Sequence, residues 1–121
     1  MAILGIGIDL VEIERIKAAN ANPRFIERLL TESEKADYQE LTSERRRWEF
    51  LAGRWASKEA FAKAFGTGVY AGSPIGFLDI TVKTALTGQP YIETAVIDTP
   101  IHLSITHTEH YAQAMVVIES D

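Results

Sequence analysis

The stretch RWASKEAFAKAF, residues 54–65, decides how the rest of the chain is interpreted. At about 100° per residue its apolar side chains form two stripes, which leave little of the helix surface purely polar. Glu59 and Lys63 are four residues apart and are therefore neighbours on that surface. A carboxylate and an ammonium group placed between apolar stripes form either an ordinary surface pair or part of a binding site. The spacing alone leaves both interpretations open.

The elements around this stretch can be predicted from periodicity and from turn residues. The helix that contains it is expected over residues 43–65, ending at Gly66 as a left-handed cap. Alternation of apolar residues predicts a strand over residues 3–10, and a helix is expected to follow over residues 11–19. Another helix is expected to begin at Thr31, which has capping-box spacing to Glu34.

After the Gly/Pro-rich segment that follows residue 65, the apolar pattern changes to a period of two. The segments LDITVKTA and PYIETAV flank LTGQ, which predicts a hairpin, and IHLSIT and YAQAMVVIE predict two further strands. One strand, several helices and about four strands indicate an α+β fold. We expect a single domain over residues 1–121, with helices packed on a mainly antiparallel sheet.

Composition excludes several classes of protein. The 121 residues are 46% hydrophobic and 24% charged, which is typical of a globular domain, and the net charge of −5 favours neither a nucleic-acid nor a membrane partner. No apolar run is long enough to span a bilayer, and the N-terminal MAILGIGIDLVEIER lacks the basic start of a signal peptide. We therefore expect a cytoplasmic protein. The chain has no cysteine, so thiolate sites are excluded.

Asp9 is the first candidate site residue. In a strand it shares one face with Gly5 and Gly7, which leave room for something to approach the backbone. The alternative is that Asp9 caps the following helix, because Glu12 stands at capping-box spacing from it. This segment alone does not decide between a ligand and a cap.

Asp9 and Glu59 could share one hard cation. Two carboxylates are too few to enclose Ca²⁺, but they suit Mg²⁺ that keeps water and phosphate oxygens as its other ligands. Lys63 would then lie where phosphate charge collects, and the backbone N–H groups of residues 66–68 could bind phosphate. The alternative for those glycines is a helix cap followed by a turn.

The remaining candidates are basic. His107 and His110 have short spacing, but no third ligand is indicated, so a zinc site is not expected. His107 could bond a phosphate or a base, or make a local turn contact. Residues 45–47 are three consecutive arginines, which form either a solvated helix face or a docking place for phosphate.

Taken together, the motifs resemble a family. GIGID, AGRWASKEAFAKAFGTG, GQPY and SITHTEHYA are similar, in the same order, to motifs of the holo-acyl-carrier-protein synthases, small bacterial 4′-phosphopantetheinyl transferases. The pattern W-x-x-K-E-A-x-x-K, from Trp55 to Lys63, is specific when an upstream G-x-D accompanies it. The resemblance extends from Ile3 to Glu119. It implies transfer of 4′-phosphopantetheine from coenzyme A to a serine of apo acyl carrier protein, releasing 3′,5′-ADP and serving fatty acid biosynthesis.

The resemblance also implies roles for individual residues. Asp9 and Glu59 would bind Mg²⁺, and Glu59 would draw the serine proton directly or through a metal-bound water. Lys63 would stabilise the leaving 3′,5′-ADP, so Asp9, Glu59 and Lys63 are the expected catalytic residues. Coenzyme A would bind between neighbouring subunits of a homotrimer, consistent with a short chain that builds its site at a subunit boundary. The matching coenzyme A positions are Arg45, Arg46, Arg54, Lys63, Gly66, Thr67, Gly88, Pro90, His107 and Thr108.

The same resemblance implies a binding partner for the basic region after the first strand. Carrier proteins of this kind are acidic, and the matching docking positions are Arg15, Arg24, Phe25, Ile26 and Arg28. Two other functions fit the same residues: a non-catalytic nucleotide-binding or regulatory module, and a phosphohydrolase that passes the phosphoryl centre to water. The combination of Asp9, Glu59 and Lys63 favours the transferase over both.

Overall fold

The computed structural model describes residues 1–66 and 74–121 and shows an α+β arrangement of helices against antiparallel strands, as predicted. The elements in chain order are β1 (Ile3–Glu12), α1 (Ile13–Ala19), α2 (Phe25–Leu29), α3 (Glu32–Glu40), α4 (Glu44–Phe65), a 3-10 turn (Phe77–Asp79), β2 (Ile80–Thr84), β3 (Pro90–Thr94), β4 (Ile101–His107) and β5 (Tyr111–Glu119). Instead of one sheet, the described strands form two: β1-β5-β4 and the hairpin β2-β3.

Helix α4 is the centre of the molecule, and both of its ends are capped. The Ser43 hydroxyl accepts a hydrogen bond from the Arg46 backbone N–H at 3.3 Å, and Gly66 closes the helix with φ of 99°. Such a left-handed cap favours glycine. Most side chains between residues 51 and 64 are buried, which makes α4 the main contributor to the core.

The two glycines of β1 bring α4 into backbone contact with the strand. A Cβ on Gly5 would lie 1.9 Å from the Ala64 carbonyl oxygen, and one on Gly7 would lie 1.8 Å from the Ala60 carbonyl oxygen. Only residues without side chains permit this approach. The prediction that something lies close to these glycines is therefore correct, and what lies there is the backbone of α4.

The start of the first helix is a correction. We expected a helix from residue 11 and allowed Asp9 to be its cap, but β1 continues to Glu12, which pairs with Tyr111. The long strand β5 supplies partners for these extra residues, and Asp9 pairs with Ala114 inside the ladder. Glu12, at the N-cap position, makes no side-chain bond to the helix. The capping interpretation of Asp9 is wrong.

The opposite face of β1 is apolar and uncovered. The exposed fractions are 62% for Leu4, 60% for Ile6, 50% for Ile8 and 60% for Leu10, and Met115 on β5 is 45% exposed. A row of large apolar side chains in solvent is unusual for an isolated chain and is typical of an interaction surface. Within residues 1–66 and 74–121, no helix is both long and apolar enough to cross a membrane.

Candidate active site

The close approach of α4 to β1 assembles the three residues predicted to be catalytic. The Lys63 ammonium donates to the Ile8 carbonyl at 2.9 Å and lies 3.3 Å from Asp9 Oδ1. Glu59, one turn before Lys63, is half-buried and close enough to Asp9 for the two charges to interact. The strand and the helix thus bring together groups that are about fifty residues apart in the sequence.

The pKa values of both carboxylates lie above their ordinary values in the metal-free protein. Burial raises the pKa of Asp9, against the hydrogen bond and charge of Lys63 and the charge of Arg15. Burial also raises the pKa of Glu59, and the neighbouring Asp9 charge raises it further, while Lys63 and Arg15 oppose the rise. Two neighbouring carboxyl groups repel each other when both are ionised, and a bound cation would stabilise the ionised form of both.

The residues fit Mg²⁺ better than a metal that needs a complete protein cage. Asp9 Oδ2 is buried, and no group in the described part of the chain bonds to it. Within residues 1–66 and 74–121 there is no group of three or more His, Cys, Asp or Glu side chains that could hold a metal ion. Asp9 and Glu59 could therefore supply two oxygen ligands, leaving the other positions to water and substrate, as Mg²⁺ prefers.

Several predicted coenzyme A residues line one cavity of about 200 Å³ between α4 and the strands. They are Arg46, Arg54, Gly88, Pro90 and His107. Gly88, with φ of 90°, forms the β2-β3 turn, so the turn prediction from LTGQ is confirmed. Its backbone brings the hairpin end against the helix. The combination of arginines, a histidine and a glycine turn suits an anionic ligand.

Arg54 is the most buried of these cations, with 9% of its surface exposed. Its guanidinium lies 3.9 Å from the centre of the Phe50 ring and makes a weak contact of 3.4 Å to the Val82 carbonyl. Its Nε is buried and bonds to no described group. Burial lowers the pKa of Arg54, partly offset by the charges of Glu34 and Asp37. A buried guanidinium with a free donor is well placed to bind a phosphate.

Glu49 is a residue of the candidate site that the sequence analysis missed. Its carboxylate lies 3.1 Å from Arg45 Nε, 3.9 Å from Arg46 Nε and 3.4 Å from His107 Nδ1. Arg45 also donates to the Thr108 carbonyl at 3.1 Å. Thr108, another predicted coenzyme A residue, is thereby linked to Arg45 and Glu49. The spacing of three and four residues from the two arginines was the available signal. Glu49 orders three groups predicted to hold the nucleotide.

The two parts of the candidate site lie on opposite faces of α4. Phe50 and Glu59 are nine residues apart, which places them about 180° apart around a helix. The carboxylate pair faces β1 and the cavity faces the β2-β3 turn. Arg46 and Glu59 are also separated by about 20 Å along the axis. One chain does not present both parts to a single compact ligand.

The predicted carrier-protein residues share one edge of the molecule, which we call the docking surface: Arg15 on α1, Arg24 before α2, and Phe25, Ile26 and Arg28 on α2. Phe25 stacks on Trp55 with ring centres 6.1 Å apart, and the Arg15 guanidinium lies 6.0 Å from the Trp55 ring. An apolar cavity of about 440 Å³ opens between Phe25, Trp55 and Phe77, beside Arg28. Basic and apolar groups are thus adjacent.

Other singled-out residues have different positions. Gly66 caps α4, and Thr67 lies outside the described residues. Arg47, the third arginine of the run, turns away to the Leu41 carbonyl at 2.8 Å and lies over the Tyr38 ring. Lys58, within the opening motif, is fully buried and pairs with Glu34 at 2.6 Å. Its spacing did not indicate this, because the partner is on another helix.

Comparison with known proteins agrees with this geometry. Residues 5–116 match the model of the 4′-phosphopantetheinyl transferase superfamily. A holo-[acyl-carrier-protein] synthase of Bacillus subtilis (strain 168) is 52% identical over 119 residues, covering 97% of this chain and 96% of that relative. One of Anoxybacillus flavithermus is 49% identical over 118 residues, covering 97% of this chain and 96% of the relative.

Solved structures give the same result. A holo-(acyl-carrier-protein) synthase of Bacillus anthracis in complex with CoA (3′,5′-ADP) has a TM-score of 0.89 at 42% identity, covering 100% of both chains. The Helicobacter pylori enzyme in complex with coenzyme A has a TM-score of 0.79 at 30% identity, covering 94% of this chain and 99% of that one. The protein therefore belongs to the 4′-phosphopantetheinyl transferase superfamily and, within it, to the holo-[acyl-carrier-protein] synthase family.

Proposed function

We propose that this protein transfers 4′-phosphopantetheine from coenzyme A to a serine hydroxyl of an apo acyl carrier protein. The observation that carries the proposal is the group of Asp9, Glu59 and Lys63, held together by the backbone contact of α4 and β1. The names and ligands of the relatives support it: they are holo-acyl-carrier-protein synthases, and two of their structures contain coenzyme A or its 3′,5′-ADP part. Such an enzyme would act in the cytoplasm, in fatty acid biosynthesis.

The reaction exchanges one phosphorus–oxygen bond for another. The serine oxygen attacks the phosphorus that carries pantetheine, the bond to the bridging pyrophosphate oxygen breaks, and 3′,5′-ADP leaves. Mg²⁺ held by Asp9 and Glu59 would supply positive charge to the pyrophosphate. Glu59 accepts the serine proton, either directly or through a water molecule. Lys63 stabilises the charge that develops on the leaving oxygen.

Binding of the nucleotide falls to the cavity on the other face of α4. Arg46, Arg54 and His107 supply donors and positive charge for the 3′-phosphate end, and Glu49 keeps Arg45 and His107 oriented. Gly88 and Pro90 form the wall from the hairpin side. The resemblance also assigns coenzyme A contacts to Gly66, which ends α4, and to Thr67, outside the described residues.

We also propose that each complete site is built by two subunits of a homotrimer. The opposite placement of Glu59 and Phe50 on α4 supports this arrangement, because one chain contributes the carboxylate pair and its neighbour the nucleotide cavity. The uncovered apolar face of β1, which includes Leu4, Ile6 and Ile8, supplies the surface that subunits would bury against one another.

The carrier protein would bind at the docking surface. Arg15, Arg24 and Arg28 provide positive charge for an acidic partner, and Phe25 borders an apolar cavity that accepts a side chain from it. The positive charge of Arg15 lowers the pKa of Asp9 and of Glu59, so this edge of the molecule adjoins the reacting groups. A serine delivered from here arrives next to the candidate base.

The decisive experiment combines the protein with coenzyme A, Mg²⁺ and an apo acyl carrier protein, and measures the intact mass of the carrier. The expected result is a gain of one phosphopantetheine, which is lost on chelation of the metal and in Glu59→Gln. Coenzyme A binding without any mass gain would indicate a binding module. Release of phosphopantetheine into solution without carrier protein would indicate a phosphohydrolase.

A further inference from the structure

A fully buried ion pair joins α4 to α3. Lys58 Nζ and Glu34 Oε1 are 2.6 Å apart, and both side chains are 0% exposed. Removing two charges from water costs more than their attraction returns unless further hydrogen bonds satisfy them. Burial lowers the pKa of Lys58, and the charge of Glu34 opposes that change. A pair of this kind in so small a core needs an explanation beyond stability.

The hydrogen bonds of the ammonium group provide that explanation. Besides Glu34, Lys58 Nζ donates to the Leu29 carbonyl at 2.6 Å and to the Phe77 carbonyl at 3.1 Å. Its three N–H donors are therefore all used. Leu29 is the last residue of α2, and Phe77 begins the 3-10 turn before β2. Lys58 thus holds the end of the docking helix and the entry to the hairpin.

Glu34 completes the connection from the other side. It accepts the Thr31 backbone N–H at 2.8 Å, which begins α3, and its Oε2 accepts the Val82 N–H at 2.8 Å from β2. The predicted capping box is present, but the same carboxylate also fixes α3 against the hairpin and against Lys58. The pair therefore joins α2, α3 and β2 to α4 at one point.

Helix α2 depends on such an anchor. It has five residues, Phe25–Leu29, and a helix of this length is not stable alone. It nevertheless carries three of the five residues of the docking surface. The Phe25 ring stacks on Trp55 of α4, and the bond from Lys58 to the Leu29 carbonyl ties the backbone at the end of α2 to the same helix. Lys58 is followed immediately by Glu59, the candidate base.

We propose that Lys58 is a positioning residue for the reaction: it sets the distance and orientation between the docking helix α2 and Glu59. Glu34 keeps its ammonium group aimed at the Leu29 carbonyl. This inference rests on the proposed transferase function. It assigns Lys58 no contact with either substrate, since its donors are all occupied and its side chain is buried.

The test compares two variants in the intact protein. Glu34→Gln with Lys58→Met removes both charges, so no unpaired charge remains buried. The glutamine oxygen keeps an acceptor for the Val82 N–H, while the Thr31 N–H loses the one it has in the wild type. Lys35→Met is the matched control, because Lys35 pairs with Glu27 of α2 at 2.6 Å on the surface, where ion pairs contribute little.

Two readouts separate positioning from general stability. Hydrogen exchange of residues 25–30 should accelerate about tenfold in the double variant, the loss expected for one charge-assisted bond, while residues 59–65 keep their protection. The KM for apo carrier protein should rise about tenfold, with the KM for coenzyme A unchanged. Lys35→Met should match the wild type in both readouts.

Three results would overturn the inference. The first is unchanged exchange in α2 in the folded double variant. The second is faster exchange with an unchanged KM for the carrier protein, and the third is an equal rise in both KM values, which a general loss of structure would cause. A wild-type protein that transfers nothing overturns the proposed function and the positioning role with it. That result differs from failure of the inference alone, in which the wild type is active.

Discussion

The α-carbon of Gly7 faces the carbonyl oxygen of Ala60 so closely that a Cβ there would lie 1.8 Å from it. This contact sets the distance between α4 and β1. Asp9 lies two residues after Gly7, and Glu59 lies one residue before Ala60. The position of the candidate metal ligands is thus determined by a backbone contact that any side chain would prevent.

Gly7→Ala should therefore damage both stability and activity. Separating the helix from the strand to admit a methyl group should cost about 3 kcal/mol of the free energy of unfolding, as overpacking of a core does. Urea denaturation measures this. Gly53→Ala is the matched control for stability, because among the described residues a Cβ there would meet only Ile105 Cγ2, at 3.5 Å, and alanine suits a helix interior. Its activity is not compared, since Gly53 lines the nucleotide cavity. Equal stability of the two variants would contradict the prediction.

Glu59→Gln should abolish transfer but stabilise the metal-free protein at neutral pH. The pKa of Glu59 is raised in the folded state, so its ionisation opposes folding as the pH rises above the ordinary value of 4.5. The stabilisation should be present at pH 7 and vanish below pH 4.5, where the unfolded carboxyl is also protonated. Thermal unfolding across this range, without divalent ions, measures it. A variant less stable than wild type at pH 7 would contradict this sign.

Added Mg²⁺ should stabilise the wild type but not variants of Asp9 or Glu59. If Asp9 and Glu59 hold the ion, saturating Mg²⁺ should raise the melting temperature of the wild type by mass action. Asp9→Asn and Glu59→Gln should each lose most of this shift. Lys35→Met, remote from the pair, should retain it. A shift of equal size in all four proteins would place the ion elsewhere.

Subunit complementation should show that the site is shared. Glu59→Gln and Arg54→Ala should each be nearly inactive as pure proteins. Refolded together into rings, they should recover about a quarter of wild-type activity, because one boundary in four combines two intact halves. Absence of recovery in a verified mixed oligomer would contradict a site built by two chains. The same mixture of Glu59→Gln with Asp9→Asn, both on one face of the site, is the control and should stay inactive.

Carrier-protein affinity should depend on salt. Arg24 and Arg28 are exposed, and their attraction for an acidic partner is screened within about 8 Å at physiological ionic strength. Arg28→Gln should raise the KM for the carrier protein several-fold and reduce its salt dependence, with the KM for coenzyme A unchanged. Lys17→Gln serves as the control, since Lys17 pairs with Glu14 nearby and has no assigned role. A KM that does not change with salt would reject electrostatic docking.

The sequence was most informative where periodicity and caps act locally. The end of α4 at Gly66, the capping box of Thr31 and the turn at Gly88 all follow from neighbouring residues. The strand at β1 was longer than expected because β5 supplies partners as far as Tyr111, which no local pattern reports. That long-range pairing is what removed the capping role of Asp9.

The candidate site divides in the same way. Glu59 and Lys63 could be paired by spacing, but Glu49 and Lys58 acquire their roles from partners on distant elements. The residues next to Lys58 in the sequence do not reveal whether its side chain points to solvent or, as observed, to the Leu29 carbonyl. Helical spacing predicts which side chains share a face, and only the packed structure gives what that face meets.

Between residues 51 and 64, all of which the structure describes, three side chains are not buried: Trp55, Glu59 and Lys63. They are spaced by four residues and form one column along the helix. Every residue of this stretch of α4 is therefore either buried or part of this column. A dye, a crosslinker or an affinity tag attached anywhere along it would enter the core or occupy the column. Chemical labelling of this protein therefore belongs on exposed positions elsewhere, such as Ser33 or Gln39 of α3 or Glu93 of β3.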